Sequence, residues 1–576
     1  MKKLLKHLKN YKLESILGPL FKLLEAGFEL MVPLVMAQVI DVGIRTNDLP
    51  FILKMGGILV LLGIIGLVCS ITAQYFAAKA AAGFGASLRN DLFAHINRLS
   101  YREIDTIGTA TLITRMTSDA NQVQSGVNLF LRLFLRSPFV VFGAMIMAFT
   151  INVRAAVIFA VVIPVLSAVV FGIMLISMPL YKKVQKQLEE VLLTVRENLA
   201  GVRVIRAFNR QDDEIRRFDQ ENGLLVRLQV FVGKISALMN PVTYVIVNLG
   251  LIVLIHTGAV KVETGIITQG EVVALVNYMS QILVELIKLA NLIITVSKAL
   301  ACANRISSVF DVEPGITERV HGLAEENSAA PKVEFDRMDF TYEGAKAPAL
   351  QGISFQAMKG QTIGIIGGTG SGKSTLVNLI PRFYDATAGV VKVGGNDVKN
   401  YPFKQLREQI GVVPQKAVLF KGSLRENMRW GKKDATDEEI FRALDIAQAR
   451  DFVEEKGEGL ELLIQAGGKN LSGGQRQRLT IARALVRNPR ILIMDDSASA
   501  LDFATDARLR KAIRESTKDM TVFLVSQRAS TIKNADSIVV LEDGQMAGLG
   551  THKELFDSCE VYREICLSQL SEKEAQ

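Results

Sequence analysis

Apolar and polar positions follow two different rhythms along this chain. Before residue 314 the apolar positions run together into long stretches, at about Ile16–Ile40, Phe51–Tyr75, Leu129–Ile151, Ala155–Leu180, Val230–His256 and Val272–Val296. Each is near the ~20 residues that a helix needs to cross a bilayer. One such stretch is equally well a core helix of a globular protein, but six in succession predict a membrane domain. Several are interrupted by charge: Lys22, Glu25 and Glu29 in the first, Arg132 and Arg136 in the third, Glu285 and Lys288 in the last. Ionisable groups at membrane depth are functional candidates by default and are also candidates for structural pairing. Glu25, Glu29, Arg132 and Arg136 are therefore read as candidates for a substrate path.

Between these stretches lie long polar tracts that keep a helical period, Lys79 to Arg115 and Tyr181 to Arg227. They are too long for loops of a compact domain, so they read as spans continuing into the cytoplasm. The short connections at 46–49, 152–154 and 258–270 then lie outside. The lysines at 2, 3, 6, 9 and 12 agree with a cytoplasmic N-terminus by the positive-inside rule. This segment lacks the spacing of a cleavable signal. The net charge of +9 is explained by basic residues facing anionic headgroups of the lipid bilayer. With no zinc spacing and no basic-aromatic tract, nucleic acid is not an expected partner. The four cysteines are scattered, with no C-x-x-C pair, which argues against a disulfide framework or a metal site.

After an aperiodic stretch, Pro314–Pro331, the rhythm shortens to strand-length apolar runs alternating with helices. The expected division is a membrane domain over 1–313, a linker over 314–331 and an α/β domain over 332–576. The run Thr362–Ile366 leads into Gly367-Gly368-Thr369-Gly370-Ser371-Gly372-Lys373-Ser374, and a helical run opening at Thr375 leads out. This is G-x-x-x-x-G-K-[ST] in its required strand–loop–helix context. The glycines let backbone N–H groups turn inward on phosphate oxygens, and the helix N-terminus adds partial positive charge. Lys373 would reach the β- and γ-phosphates, and Ser374 would hold Mg²⁺. Further on, Ile491–Asp495 is an apolar strand ending in a carboxylate, a second place where nucleotide-bound Mg²⁺ can be held.

With Leu471-Ser472-Gly473-Gly474-Gln475 ahead of that strand, the chain from about Val333 onward resembles the ATP-binding cassette family, whose signature this pentapeptide is. The resemblance implies further roles. Tyr342 matches the aromatic that stacks on adenine. Gln415 matches the glutamine that senses Mg²⁺ and γ-phosphate. Ser499, Ala500, Leu501 and Asp502 match a loop that crosses the dimer interface. The first half is similar to the family's exporters, with six spans preceding an α/β P-loop ATPase domain and its helical subdomain on one chain. Glu197–Phe208 matches their second intracellular stretch. The exporter fold implies two short transverse helices, placed near Ser100–Thr106 and Asn209–Arg216.

Two departures converge on one phosphate. Where the family places a catalytic Glu after the strand-end Asp, this chain has Asp496, one methylene shorter. Where the family places a His contacting γ-phosphate, it has Gln527, which cannot become cationic. The acidic residue common just before the signature is also missing from Ile464–Asn470. In this family two cassettes pair head to tail, and each ATP lies between one chain's phosphate loop and the other's signature. A weak site of its own beside an intact signature implies one subunit of a heterodimer, as in a branch of bacterial multidrug exporters. The resemblance therefore implies ATP- and Mg²⁺-dependent export of small hydrophobic or amphipathic compounds across a bacterial cell membrane, with the ATPase domain cytoplasmic. The alternatives are a homodimeric lipid or drug exporter, or a nucleotide-gated channel on the same scaffold. A soluble DNA-repair cassette is disfavoured, because no coiled coil separates Lys373 from Leu471 and the spans argue against it.

Overall fold

The computed structural model describes residues 4–318, 327, 329–497, 501–516 and 519–571. The described residues divide into two compact units, one of residues 1–97 and 108–312, the other of residues 98–107 and 313–576.

The first unit is all helical. Six stretches are long and apolar enough to cross a membrane: Lys6–Ile44, Leu49–Ile96, Thr109–Ile151, Val153–Ala207, Gln211–Glu263 and Gln269–Phe310. Each expected apolar run lies inside one of them. The second, 48 residues long, measures roughly 70 Å at ~1.5 Å per residue, more than twice the ~30 Å hydrocarbon thickness. The polar tracts are thus largely helical continuations of spans, the first as far as Ile96 and the second on both sides of a break at 208–210. Small residues allow close helix packing: Gly18 lies so near the second span that a β-carbon there would stand 3.3 Å from the Ala77 nitrogen. On the same span Leu53, Ile64, Leu67 and Ile71 are exposed, an apolar face suited to lipid.

The third stretch is broken between Leu133 and Arg136. The fourth helix runs unbroken through Pro164 and Pro179 for 55 residues. The transverse helix expected near Asn209–Arg216 is not a separate element. Phe208 to Arg210 make a short break, with Asn209 at φ 53°, and Gln211 opens a 27-residue helix whose first turn carries Asp212, Asp213 and Glu214. Acidic residues suit a helix N-terminus, so the polar segment continues as the next long helix. The other short helix is present as Tyr101–Ile107.

The second unit holds that helix and the α/β domain. Its central sheet has six strands, in the spatial order Gln545–Gly550, Ser537–Glu542, Thr362–Gly367, Thr521–Val525, Ile491–Asp495, Ile410–Val413. All neighbouring pairs are parallel except the first, an antiparallel edge. Strands buried on both faces read as continuous apolar runs, and Ile491–Asp495 and Thr521–Val525 are buried at every position. One hydrophobic core, including Ile363, Ile365, Leu376 and Phe523, also takes in the antiparallel sheet of Val333–Phe340, Leu350–Ala357 and Ala388–Val393. The other, including Ile366, Met494 and Leu524, takes in the helical segment around Leu424–Ile464 and the signature helix. The sequence linker is described only at 314–318, 327 and 329–331; its remaining residues lie outside the described ones.

Candidate functional site

Four adjacent parallel strands end on one side of the sheet, and each delivers a residue singled out by sequence. Thr362–Gly367 leads into the phosphate loop. Thr521–Val525 is followed by Gln527, Ile491–Asp495 ends in Asp495 and Asp496, and Ile410–Val413 is followed by Gln415. The register pairs Val525 with both Ile365 and Asp495, which keeps these ends level. Ligands of open α/β sheets bind beyond the carboxyl ends of the strands.

A cavity of about 280 Å³ lies there, lined by Tyr342, Thr369, Gly370, Gly372, Lys373, Ser374, Thr375, Gln415, Asp495, Asp496 and Gln527. Larger clefts exist in this unit, one of about 620 Å³ beside the helix Phe503–Ser516. Convergent polar groups, not volume, mark the first as the site. Gly367, Gly368 and Ser371 belong to the loop without lining the cavity. Gly372 must be glycine: its φ is +93°, and a β-carbon would meet the Ala349 oxygen at 2.8 Å.

Lys373 is buried, and its ammonium donates to the carbonyls of Gly367 at 2.9 Å and Gly368 at 2.6 Å. Burial lowers its pKa, against the opposing pull of Asp496 and Asp495. Burial raises that of Asp495, and the Ser374 hydroxyl, donating to Asp495 Oδ1 at 2.9 Å, pulls the other way. Ser374 and Asp495 thus offer adjacent hard oxygen donors, the set that suits Mg²⁺. Asp496 sits at φ 44°, a left-handed conformation in which Asp is one of the better tolerated non-glycine residues. Its N–H donates to the Val525 carbonyl at 3.0 Å. Burial raises its pKa too, and a hydrogen bond with Gln415 opposes the shift.

Tyr342 is partly exposed, and its hydroxyl pairs with Thr375 Oγ1 at 2.9 Å. Sequence reasoning missed its neighbour. Tyr384 meets Tyr342 edge to face at 5.5 Å and donates to Asp105 Oδ2 at 2.7 Å on the short helix Tyr101–Ile107. Arg102 on that helix pairs with Glu343 at 2.5 Å. Burial raises the Tyr384 pKa first, and Asp105 adds to it. No motif announced Tyr384, because its role comes from packing across sequence-distant segments. Tyr342→Ala is expected to weaken ATP binding by roughly 3- to 10-fold, the worth of one aromatic stacking contact. Tyr342→Phe, which loses only the hydroxyl, should stay within about twofold. Titration with a fluorescent ATP analogue measures both.

The signature does not line this cavity. Ser472 caps the helix Gly473–Leu485: its hydroxyl accepts from the Gln475 N–H at 3.2 Å, and the Gln475 side chain accepts from the Ser472 N–H at 3.0 Å. Leu471 is buried, while Ser472 and Gly473 are exposed. Ser499 and Ala500 lie outside the described residues. Leu501 is buried, and Asp502 accepts from the Thr505 N–H at 3.0 Å. In the segment lacking an acidic residue, Asn470 accepts from the Gln465 N–H and donates to the Leu463 carbonyl, bracing the turn before the signature.

The membrane candidates are mostly paired. Glu25 accepts from Lys22 at 2.5 Å, and Glu29 accepts from Arg136 at 2.6 Å. Arg136 also pairs with Glu285 at 2.5 Å, and Glu285 with Lys288 at 2.8 Å. Arg132 reaches Gln74 at 3.5 Å.

Comparison with known proteins adds the following. Residues 15–286 match the family model described as the ABC transporter transmembrane region, and residues 350–499 match the ABC transporter model. The chain is 36% identical to an uncharacterized ABC transporter ATP-binding protein of Mycobacterium tuberculosis, covering 98% of this chain and 97% of that one. It is 31% identical to a putative multidrug export ATP-binding/permease protein of Bacillus subtilis, covering 98% of each. It is 30% identical to an ATP-dependent lipid A-core flippase of Chromobacterium violaceum, covering 100% of this chain and 98% of that one. A solved bacterial Atm1-family ABC exporter with ATP bound superposes with a TM-score of 0.81 at 23% identity, covering 97% of this chain and 100% of that one, which shows the likeness of fold.

Proposed function

Because this chain belongs to the ABC transporter family, as an exporter half-transporter with its membrane and ATPase regions on one polypeptide, we propose that it is one subunit of a heterodimeric exporter. Its own ATP site binds more than it hydrolyses, and its cargo is a small hydrophobic or amphipathic compound such as a drug. The observation carrying this reading is that Asp496 and Gln527 line the same cavity as Lys373 and Ser374 of the phosphate loop while the signature segment is intact. A carboxylate one methylene short displaces its oxygens, and about 1 Å of misplacement can cost ~10²-fold.

In this reading ATP is held by Tyr342 on adenine and by the loop from Gly367 to Thr375 on the phosphates. Ser374, Gln415 and Asp495 would hold Mg²⁺, which neutralises phosphate charge when bound. Asp496 orients water poorly, and Gln527 accepts or donates one hydrogen bond without adding charge. Leu471–Gln475 would complete the site of the partner, and the loop Ser499–Asp502 would cross the dimer interface. ATP binding closes the cassette pair, and closure turns the cargo path of the membrane unit outward. This is alternating access driven by differential nucleotide affinity for two states. Glu25, Glu29, Arg132 and Arg136 remain the candidates for the cargo path. The N-terminus and ATPase unit face the cytoplasm, following the lysines at 2–12. Domain boundaries at 313 and 331 complete the reading.

A second reading, a homodimeric lipid or drug exporter, is favoured by the full-length similarity to lipid A-core flippases and by the Asp496 carboxylate that Gln415 engages. One experiment separates them. The chain purified alone in lipid nanodiscs should show little ATPase, and purification from its native membranes should yield a second ABC chain with Glu and His at the positions of Asp496 and Gln527. In the reconstituted pair, Asp496→Asn should leave much of the efflux intact, and Asp496→Glu should not create a fast site. Several positioned groups act on the phosphate together, so repairing one recovers little. Robust turnover by the single chain, stopped by Asp496→Asn, would establish the homodimer instead.

A further inference from the structure

The segment after the strand Thr521–Val525 places Gln527 at the cavity, and something must hold that segment still. Its own contacts do so only in part. The Ser526 N–H donates to the Ile365 carbonyl at 3.1 Å, and the Ser526 hydroxyl accepts from the Arg528 N–H at 2.9 Å. The short helix that follows, Ala529–Ile532, has no side-chain cap of its own at Arg528. Ala529 is fully buried, so water cannot readily serve its N–H, and a buried N–H without a partner is costly.

The missing partner comes from 40 residues further along the chain. Gln569 Oε1 accepts from the Ala529 N–H at 2.9 Å, and Gln569 Nε2 donates to the Gln527 carbonyl at 2.7 Å. The two contacts fix the orientation of the amide, since an N–H requires the oxygen and a carbonyl requires the nitrogen. Gln569 ends the helix Glu560–Gln569. That helix is itself anchored by fully buried Tyr562 and Cys566, with the Tyr562 hydroxyl 2.8 Å from His552 Nδ1. On the other side of the segment, Arg510 donates to the carbonyls of Ser530 and Thr531.

We propose that Gln569 is a positioning residue for the nucleotide site: its amide brackets residues 527–529, so the C-terminal helix sets where Gln527 stands over the phosphates. Motion of that helix would move Gln527 without touching the phosphate loop, a second handle on the site beside the loop itself. This holds whether the partner is a different chain or a second copy.

The test uses the full-length protein, as purified from membranes, with hydrogen–deuterium exchange and ATP titration. Gln569→Met keeps size and loses both bonds. Gln569→Glu keeps an acceptor for the Ala529 N–H and loses the donor to Gln527. In Gln569→Met the segment containing Ala529 should exchange roughly tenfold faster, while the strand Ile491–Asp495 exchanges as before. Protection of 526–532 induced by Mg-ATP should be lost, with ATP affinity within about threefold of the parent. Gln569→Glu should keep much of the resting protection and lose the ATP-induced part. The proposal is overturned if Gln569→Met keeps the parent's ATP-induced protection, or if exchange rises equally throughout the ATPase unit, which would mark Gln569 as a packing residue only. Neither readout requires turnover, so a slow site does not obscure the result.

Discussion

Lys373→Ala is expected to weaken ATP binding at this chain's site by roughly 30- to 150-fold, corresponding to ~2–3 kcal/mol for a charge-assisted hydrogen bond at about 1.4 kcal/mol per tenfold. The ammonium is held at the mouth of the loop by the Gly367 and Gly368 carbonyls, so it meets phosphate oxygens without first being ordered. Because the side chain is buried and flanked by Asp495 and Asp496, its loss also leaves two carboxylates facing the phosphates uncompensated. Binding should therefore fall by more than in Tyr342→Ala. The fold should survive, since Lys373 lines the cavity and its truncation lets water from there reach the released carbonyls. Isothermal titration of the detergent-solubilised protein with ATP, alongside a melting curve, checks both parts. Equal affinity in the variant and the parent would refute the assignment of this loop.

Arg136→Ala is expected to have the largest effect on the membrane unit. Arg136 is 6% exposed and bridges Glu29 of the first span and Glu285 of the last. Removing one partner of a buried pair costs about 3–5 kcal/mol, because the other charge is left uncompensated. Glu285 retains Lys288 at 2.8 Å and the Ser137 hydroxyl at 2.9 Å, which places the expected loss near ~3 kcal/mol. That corresponds to a fall of roughly 5 °C in apparent melting temperature for a unit of this size. Arg136→Met combined with Glu285→Gln removes the two buried charges and should recover part of the loss, since the ions then losing a partner, Glu29 and Lys288, are half-exposed. If the single variant melts as the parent does, the cluster is not holding the spans together. If the double variant is as unstable as the single, packing volume rather than charge is the cause.

The same cluster shows where sequence reading stops. Charges inside apolar runs are visible in the sequence, Lys22, Glu29, Arg136 and Glu285 among them, but which of them pair is not. Glu285 lies 149 positions from Arg136, and nothing in local pattern connects them. The second transverse helix failed for a related reason. A polar tract with helical period predicts helix, but whether a short break starts a separate element or a new long helix depends on what it packs against. Tyr384 and Gln569 carried no motif at all, and each matters through one or two contacts from a distant segment.

Sequence by itself determined the class of each half. Bilayer thickness makes a span visible as about twenty apolar residues, and a phosphate cradle requires glycines, a lysine and a hydroxyl at set spacing whatever the rest of the chain does. Local chemistry of that kind is legible along the chain alone. Tertiary structure alone decided how the strand ends align, so that Lys373, Gln415, Asp495, Asp496 and Gln527 share one cavity. It also decided which charge neutralises which in the membrane unit, and which side chain holds the segment bearing Gln527. These are pairings between residues tens to hundreds of positions apart. They are selected by burial, because an unpaired charge or N–H is expensive only once the fold has excluded water from it.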